Sequence, residues 1–177
     1  FPGHGDVTVD SHEDLPIINK NKTDLQSLEL YPFQELINNG VQSVMIAHLN
    51  LPQLDENKIP STLSYPIVTQ LLKEEMGFQG IIFTDALNMK GMTNYFKDGD
   101  IEVKAFLAGN DILLFSQDIG KGVEKLKEAI QNGSNVVVKA PVPVVTYYDN
   151  TIVFLSNGDL TGTEFENEAV FYEYVFN

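Results

Sequence analysis

Two short apolar runs set the frame of this chain. Val41-Gln42-Ser43-Val44-Met45-Ile46-Ala47-His48 and Gly80-Ile81-Ile82-Phe83-Thr84 have the length and near-continuous hydrophobicity of strands buried in a parallel sheet. Between them, Asn50 to Ser61 contains Pro52 and Pro60 and reads as a loop. Ser64-Tyr65-Pro66 then opens a helix, with a serine available as cap. Ile67, Val68, Leu71, Leu72 and Met76 recur at helical spacing, and Gly77 closes the segment. The pattern repeats downstream. Asp100 to Ala108 predicts a helix stopped by Gly109-Asn110, Asp111 to Phe115 a third strand, and Ile119 to Gln131 a last helix with Val123, Leu126, Ala129 and Ile130 inward. Upstream, Asn19 to Asn39 reads as a connection and a helix. Leu28, Phe33, Leu36 and Ile37 form its apolar side, and Pro32 bends or restarts it.

Strand, helix, strand, helix, strand, helix is the signature of a parallel α/β sheet. Periodicity alone fits an open doubly wound sheet and a barrel equally. The rhythm stops near Gly133. Beyond it, Val136 to Val138, Val142 to Tyr148 and Thr151 to Leu155 are β-rich, with turn signals at Asp149-Asn150 and Asn157-Gly158. Residues 1–133 are therefore expected to form one domain and residues 134–177 a β-rich tail, either an appendage or sequence foreign to the domain.

Composition narrows the possible partners. The formal net charge is −14, with every one of the 11 basic residues a lysine. Such acidity disfavours nucleic acid, whose affinity rests on neutralising phosphates, and an anionic membrane surface. No apolar run approaches the length of a membrane span. Cysteine is absent, which removes disulfides and thiolate metal sites. The chain begins at Phe1, inside a motif, so it reads as a piece lacking its N-terminal part, and its localisation stays open.

Two stretches carry chemistry. The first is Phe1-Pro2-Gly3-His4-Gly5-Asp6-Val7-Thr8-Val9-Asp10-Ser11-His12, a glycine-rich turn followed by Asp-x-His. Asp10 and His12, two apart, point the same way on extended chain. A carboxylate on one ring nitrogen frees the other to move a proton; a plain loop histidine bonded to an aspartate is the alternative. The second is Gly80-Ile81-Ile82-Phe83-Thr84-Asp85-Ala86-Leu87-Asn88-Met89. Asp85 ends a buried strand, where a charge needs a partner or a function; it reads either as a helix cap or as a nucleophile. His4, Asp6, Asp10 and His12 offer metal donors, but in a spacing that matches no metal signature. Gly120-Lys121-Gly122 lacks the phosphate-loop pattern.

Both stretches resemble family 3 glycoside hydrolases, specifically the bacterial β-N-acetylglucosaminidase (NagZ-type) branch. That family has Phe-Pro-Gly-His-Gly, then Asp-Ser-His, and a strand ending in Ser/Thr-Asp, a small or acidic residue, Leu, x and Met. Phe1 to His12 and Thr84-Asp85-Ala86-Leu87-Asn88-Met89 fit. The Lys-His pair that precedes the loop in the family lies outside this chain. The resemblance implies the C-terminal portion of a (β/α)8 TIM-type barrel: the last three strand–helix units and the loop leaving the fifth strand. It implies a retaining exo-β-N-acetylglucosaminidase that uses no cofactor and takes a carbohydrate substrate, peptidoglycan fragments or chitooligosaccharides. Asp85 would be the nucleophile, His12 the general acid/base and Asp10 its orienter. His4, His48 and Met89 are candidate substrate-binding residues, with loop structure, orientation of neighbours and packing as their respective alternatives. In a barrel, functional groups sit at the C-terminal ends of strands, where His48, Asp85 and Ser116 fall. Val44, Ile82 and Leu113 are expected on the barrel's inner side. Other glycosidase or phosphorylase chemistry remains open. So does an inactive piece that only binds sugar or a partner chain and self-associates through open sheet edges.

Overall fold

The computed structural model describes residues 1–5, 7, 14–94, 96, 97, 99–131, 143–148 and 151–156, the last two stretches by their backbone alone. Strand β1 (Ser43–Ile46) lies parallel to β2 (Ile81–Thr84), with Val44 opposite Ile82 and Ile46 opposite Thr84. Phe1 flanks β1 on the far side: its nitrogen donates to Met45 O at 2.6 Å, and Ala47 N donates to Phe1 O at 3.0 Å. On the other side, Ile112 makes a parallel bridge to Phe83. The spatial order is thus Phe1, β1, β2, Ile112. This is the predicted parallel arrangement, but the third strand is reduced to that single bridge. Its ladder ends early because the Asp111 side chain takes Ile82 N at 2.7 Å and Phe115 leaves with φ 48°.

Side chains alternate across β1 and β2, as the pleat requires. Val44, Ile46, Ile82 and Thr84 are buried, while Met45 is 40% exposed and Phe83 half-buried. The buried set packs on helices. Val44, Ile46 and Ile82 join Ile67, Val68, Leu71 and Leu72 in one core, and Leu113 joins Leu63, Leu87, Met92, Ile101, Ala105 and Leu126 in a second. The expectation that Val44, Ile82 and Leu113 face a barrel interior is therefore reversed. They form the sheet–helix layer, and Met45 and Phe83 occupy the opposite face.

The helices hold further corrections. The first helical region is two pieces, α1 (Lys22–Ser27), capped by Asn21 Oδ1 accepting from Asp24 N at 3.0 Å, and α2 (Leu30–Asn38). Pro32 sits in the first turn of α2, where its missing N–H costs nothing. The break rotates the register: Leu25 and Leu30 are buried, while Leu28 and Leu36 are exposed. Pro66–Glu75 forms a wide π-type helix closed by Met76 N donating to Leu71 O at 2.9 Å. Its adjacent pairs Ile67–Val68 and Leu71–Leu72 both reach the core. A short turn, α3 (Lys90–Thr93), follows β2. Then come α4 (Asp100–Ala108), stopped by Gly109 in the left-handed conformation, and α5 (Ile119–Gln131). On α5, Leu126 is buried, Val123 and Ala129 are half-buried, and Ile130 is exposed, contrary to its expected inward place.

In the tail, β3 (Pro143–Tyr148) and β4 (Thr151–Ser156) pair antiparallel, with Tyr148 opposite Thr151. This matches the turn signal at Asp149-Asn150. Val136 to Val138 and Glu164 to Asn177 lie outside the described residues. No helix among the described residues is long and apolar enough to cross a membrane.

Candidate functional site

Asp85 follows β2 directly, and four hydrogen bonds fix the backbone around it. Its own N–H donates to Ile46 O at 2.9 Å, so the nucleophile candidate continues the β1–β2 ladder by one step. Leu87 N donates to Leu114 O at 2.9 Å, and Leu114 N donates to the buried Thr84 hydroxyl at 2.9 Å. Those bonds tie the turn to the third strand. Met89 N donates to Ala86 O at 3.1 Å and closes the turn. Asp85 Oδ1 accepts from Ala86 N at 2.8 Å. Among the described residues Oδ2 carries no hydrogen bond, and the side chain is half-buried. The result is a carboxylate with one oxygen held and the other presented at the C-terminal end of the strand.

His48 leaves β1 beside this turn. It is fully buried, Nδ1 lies 2.6 Å from Thr62 Oγ1, and Nε2 lies 3.0 Å from Ala86 O. Burial holds its pKa below the ordinary imidazole value, against the pull of the Ala86 carbonyl and of Asp85. It has no exposed surface, and both ring nitrogens are engaged. Met89 is buried at the residue before α3, and Met92, three residues on, lies in the second core.

His4 is exposed in the turn that leaves Phe1. Gly3 has φ 117° and Gly5 φ 61°, backbone that glycine adopts readily. Phe1 pairs beside Met45 and Ala47 while Met45 pairs with Phe83, so this turn starts at the same rim of the sheet as Asp85. The Phe1 ring packs edge-on against Phe33, with centroids 5.3 Å apart. Asp10 and His12 lie outside the described residues. Ser116, at the end of the third strand, donates to Glu102, whose other oxygen accepts from Gly99 N at 2.7 Å.

Thr62, Ser61 and Asn110 carry roles that local sequence does not announce. Ser61 Oγ donates to Ala47 O at 2.6 Å and accepts from Leu49 N at 3.1 Å. Asn110 Nδ2 donates to Thr62 O at 2.8 Å and to Ala105 O at 2.7 Å. Ser61 and Thr62 sit in a single 3-10 turn that follows Pro60, and Asn110 just beyond the end of α4, with no periodicity to mark them. The run of three hydroxyls in Ser61-Thr62-Leu63-Ser64 is the one available signal.

Residues 1–146 match the family model described as the glycosyl hydrolase family 3 N terminal domain. Among curated proteins, the chain is 41% identical over 125 residues to beta-hexosaminidase A of Pseudoalteromonas piscicida, covering 64% of this chain and 21% of that protein. It is 38% identical to the beta-hexosaminidase of Haemophilus influenzae, covering 67% and 33%. Among solved structures, a family 3 beta-N-acetylglucosaminidase from a Paenibacillus strain superposes with TM-score 0.72 at 37% identity, over 75% of this chain and 26% of that one. A beta-glucoside phosphorylase superposes with TM-score 0.70 at 26% identity, over 75% of this chain and 26% of that one. The chain thus spans between a fifth and a third of the curated relatives quoted. From the family match and these superpositions, this chain, an α/β segment of a barrel-type fold, belongs to glycosyl hydrolase family 3.

Proposed function

We propose that the chain supplies the nucleophile and the acid/base dyad of a retaining exo-β-N-acetylglucosaminidase that removes terminal N-acetylglucosamine from peptidoglycan fragments or chitooligosaccharides. The observation that carries this reading is Asp85. Its Oδ1 is held by Ala86 N, its backbone is anchored on Ile46 O, and Oδ2 is left for an incoming electrophile at the strand end. The relatives named beta-hexosaminidase and beta-N-acetylglucosaminidase support the substrate class.

In the first step Asp85 Oδ2 bonds to the anomeric carbon as the glycosidic C–O bond breaks. The His12 imidazolium gives its proton to the departing oxygen, so the aglycone leaves as an alcohol. In the second step His12 takes a proton from water, the water oxygen bonds to the same carbon, and the Asp85 ester opens. Two inversions give net retention. Asp10 holds the second ring nitrogen of His12 and stabilises the imidazolium. His4 shapes the rim of the sugar site from its glycine-flanked turn.

A second reading, phosphorolysis, rests on the likeness to the beta-glucoside phosphorylase. A neutral imidazole base carries no negative charge to repel an incoming phosphate. Substituting phosphate for water in the second step would yield a glycosyl phosphate. In the complete polypeptide, Asp85→Ala is expected to abolish turnover, with azide restoring part of it as a glycosyl azide. Activity like that of the parent in Asp85→Ala would overturn the reading. A rate proportional to added phosphate, with glycosyl phosphate as product, would select the second one.

A further inference from the structure

The buried histidine beside the nucleophile turn has a geometry more specific than packing requires. Ala86 O is an acceptor only, so His48 Nε2, 3.0 Å away, must carry the proton. Nδ1 then accepts, and the Thr62 hydroxyl at 2.6 Å is its donor. Thr62 Oγ1 also lies 3.1 Å from Ala47 O, but a ring nitrogen without a proton can only accept, so the shorter 2.6 Å contact takes the Thr62 proton. Thr62 is in turn held by Asn110 Nδ2 on its own carbonyl. A continuous chain of bonds therefore runs from Asn110 through Thr62 and His48 to the residue after Asp85, all of it buried except its last member.

The same exit of β1 grips the turn twice. Ile46 O takes Asp85 N at 2.9 Å, and two residues on, the His48 ring takes Ala86 O at 3.0 Å. The first contact fixes the backbone entering Asp85, and the second fixes the peptide leaving Ala86. Ala86 N lies between them and is the group that holds Asp85 Oδ1. Releasing Ala86 O on the His48 side leaves Met89 N alone to hold it. Ala86 can then turn, and the direction of Oδ2 is lost without loss of the carboxylate.

Resting on the reading of Asp85 as nucleophile, we infer that His48 is a positioning residue for it, acting as a neutral Nε2–H donor to Ala86 O in a tautomer selected by Thr62. It touches no substrate. A misplacement of the order of 1 Å in a reacting atom costs about 10²-fold in rate, so the effect should appear in kcat for glycosyl-enzyme formation, with KM nearly unchanged.

The test compares two amides in the complete polypeptide. The nitrogen of Gln can reach the Nε2 position and keep the donor to Ala86 O. Asn can reach only the Nδ1 position, so it keeps the partner of Thr62 and loses Ala86. The substrate is a nitrophenyl N-acetylglucosaminide, with pre-steady-state release of nitrophenol as the readout. His48→Asn is expected to fall below His48→Gln by about 10²-fold in kcat, with KM equal within a few-fold. Equal behaviour of the two variants, whether both fast, both slow or both unfolded, overturns the inference, as does a change confined to KM. Asp85→Ala run alongside separates the two levels. If it retains activity, the nucleophile reading fails. If it is dead and rescued by azide while Asn and Gln behave alike, only the role of His48 fails.

Discussion

Asp111→Asn is expected to leave the protein at least as stable as its parent at neutral pH, whereas Asp111→Ala costs about 1–3 kcal/mol. Asp111 is 3% exposed and bridges β2 and the third strand. Its Oδ2 accepts from Ile82 N at 2.7 Å, and its own N donates to Ile82 O at 2.8 Å. Alanine leaves the Ile82 N–H buried without an acceptor, which is the origin of the penalty. Asparagine keeps that acceptor and removes the charge. The lost partner is Lys73, 3.7 Å away and 29% exposed on its side chain, so it returns to water at little cost. Because the carboxylate is buried, its attraction to Lys73 is set against the cost of desolvating it, and the pair adds little net stability.

The pH dependence follows from burial, which raises the Asp111 carboxyl above its ordinary value of 3.8 despite Lys73 and the Ile82 N–H. A carboxyl whose folded pKa is raised adds stability that is complete below the unfolded pKa and is lost as pH rises through the folded one. Asparagine has no such loss. Urea unfolding followed by circular dichroism should therefore show the two proteins alike near pH 4 and the Asn variant gaining on its parent toward pH 7. The reasoning is refuted if Asp111→Asn is less stable by more than about 1 kcal/mol at neutral pH and the deficit widens as pH rises. That result would mean the Lys73 pair outweighs desolvation of the carboxylate.

Three further outcomes are expected. Gly3→Ala places a Cβ 2.8 Å from Glu29 Cβ at φ 117° and should cost about 1–3 kcal/mol, read as a lowered thermal midpoint. His12→Ala should slow natural substrates strongly and nitrophenyl substrates much less, since a good leaving group needs little protonation. Asp10→Ala should show a milder loss of the same kind, and equal losses on both substrate types would remove His12 from proton transfer. The 177-residue chain expressed alone, with Leu28, Tyr31 and Leu36 exposed, should scatter light as an oligomer and bind a hydrophobic dye. A compact monomer by light scattering would contradict that.

Much of this arrangement is legible in the residues themselves. The apolar runs around Val44–Ala47 and Ile81–Phe83, each followed by helical spacing and a glycine stop, announce parallel strands with Asp85 at an end. The pairing of Asp85 N with Ile46 O is a matter of register, which those runs do not fix. What escapes is set by tertiary contact. Leu28 and Leu36 look as apolar as Leu25 and Leu30, and only the break after Ser27 decides which pair is buried. Alternation along a short strand names two faces without saying which one meets helices, so Val44 and Ile82 were assignable to either. Asp111 reads as the first residue of a strand, yet its carboxylate replaces one rung of the ladder. Thr62 is a loop threonine until His48, 14 residues earlier, turns toward it.

The most direct test is covalent trapping. A 5-fluoro N-acetylglucosaminyl donor with a good leaving group slows both steps but lets the glycosyl-enzyme accumulate when release is the slower one. In the complete polypeptide, digestion and mass spectrometry should find one glycosyl adduct, on the peptide containing Asp85 and absent in Asp85→Ala. The natural reaction followed by NMR should release β-N-acetylglucosamine first. An adduct on another residue, or first release of the α-anomer, would contradict the nucleophilic role of Asp85.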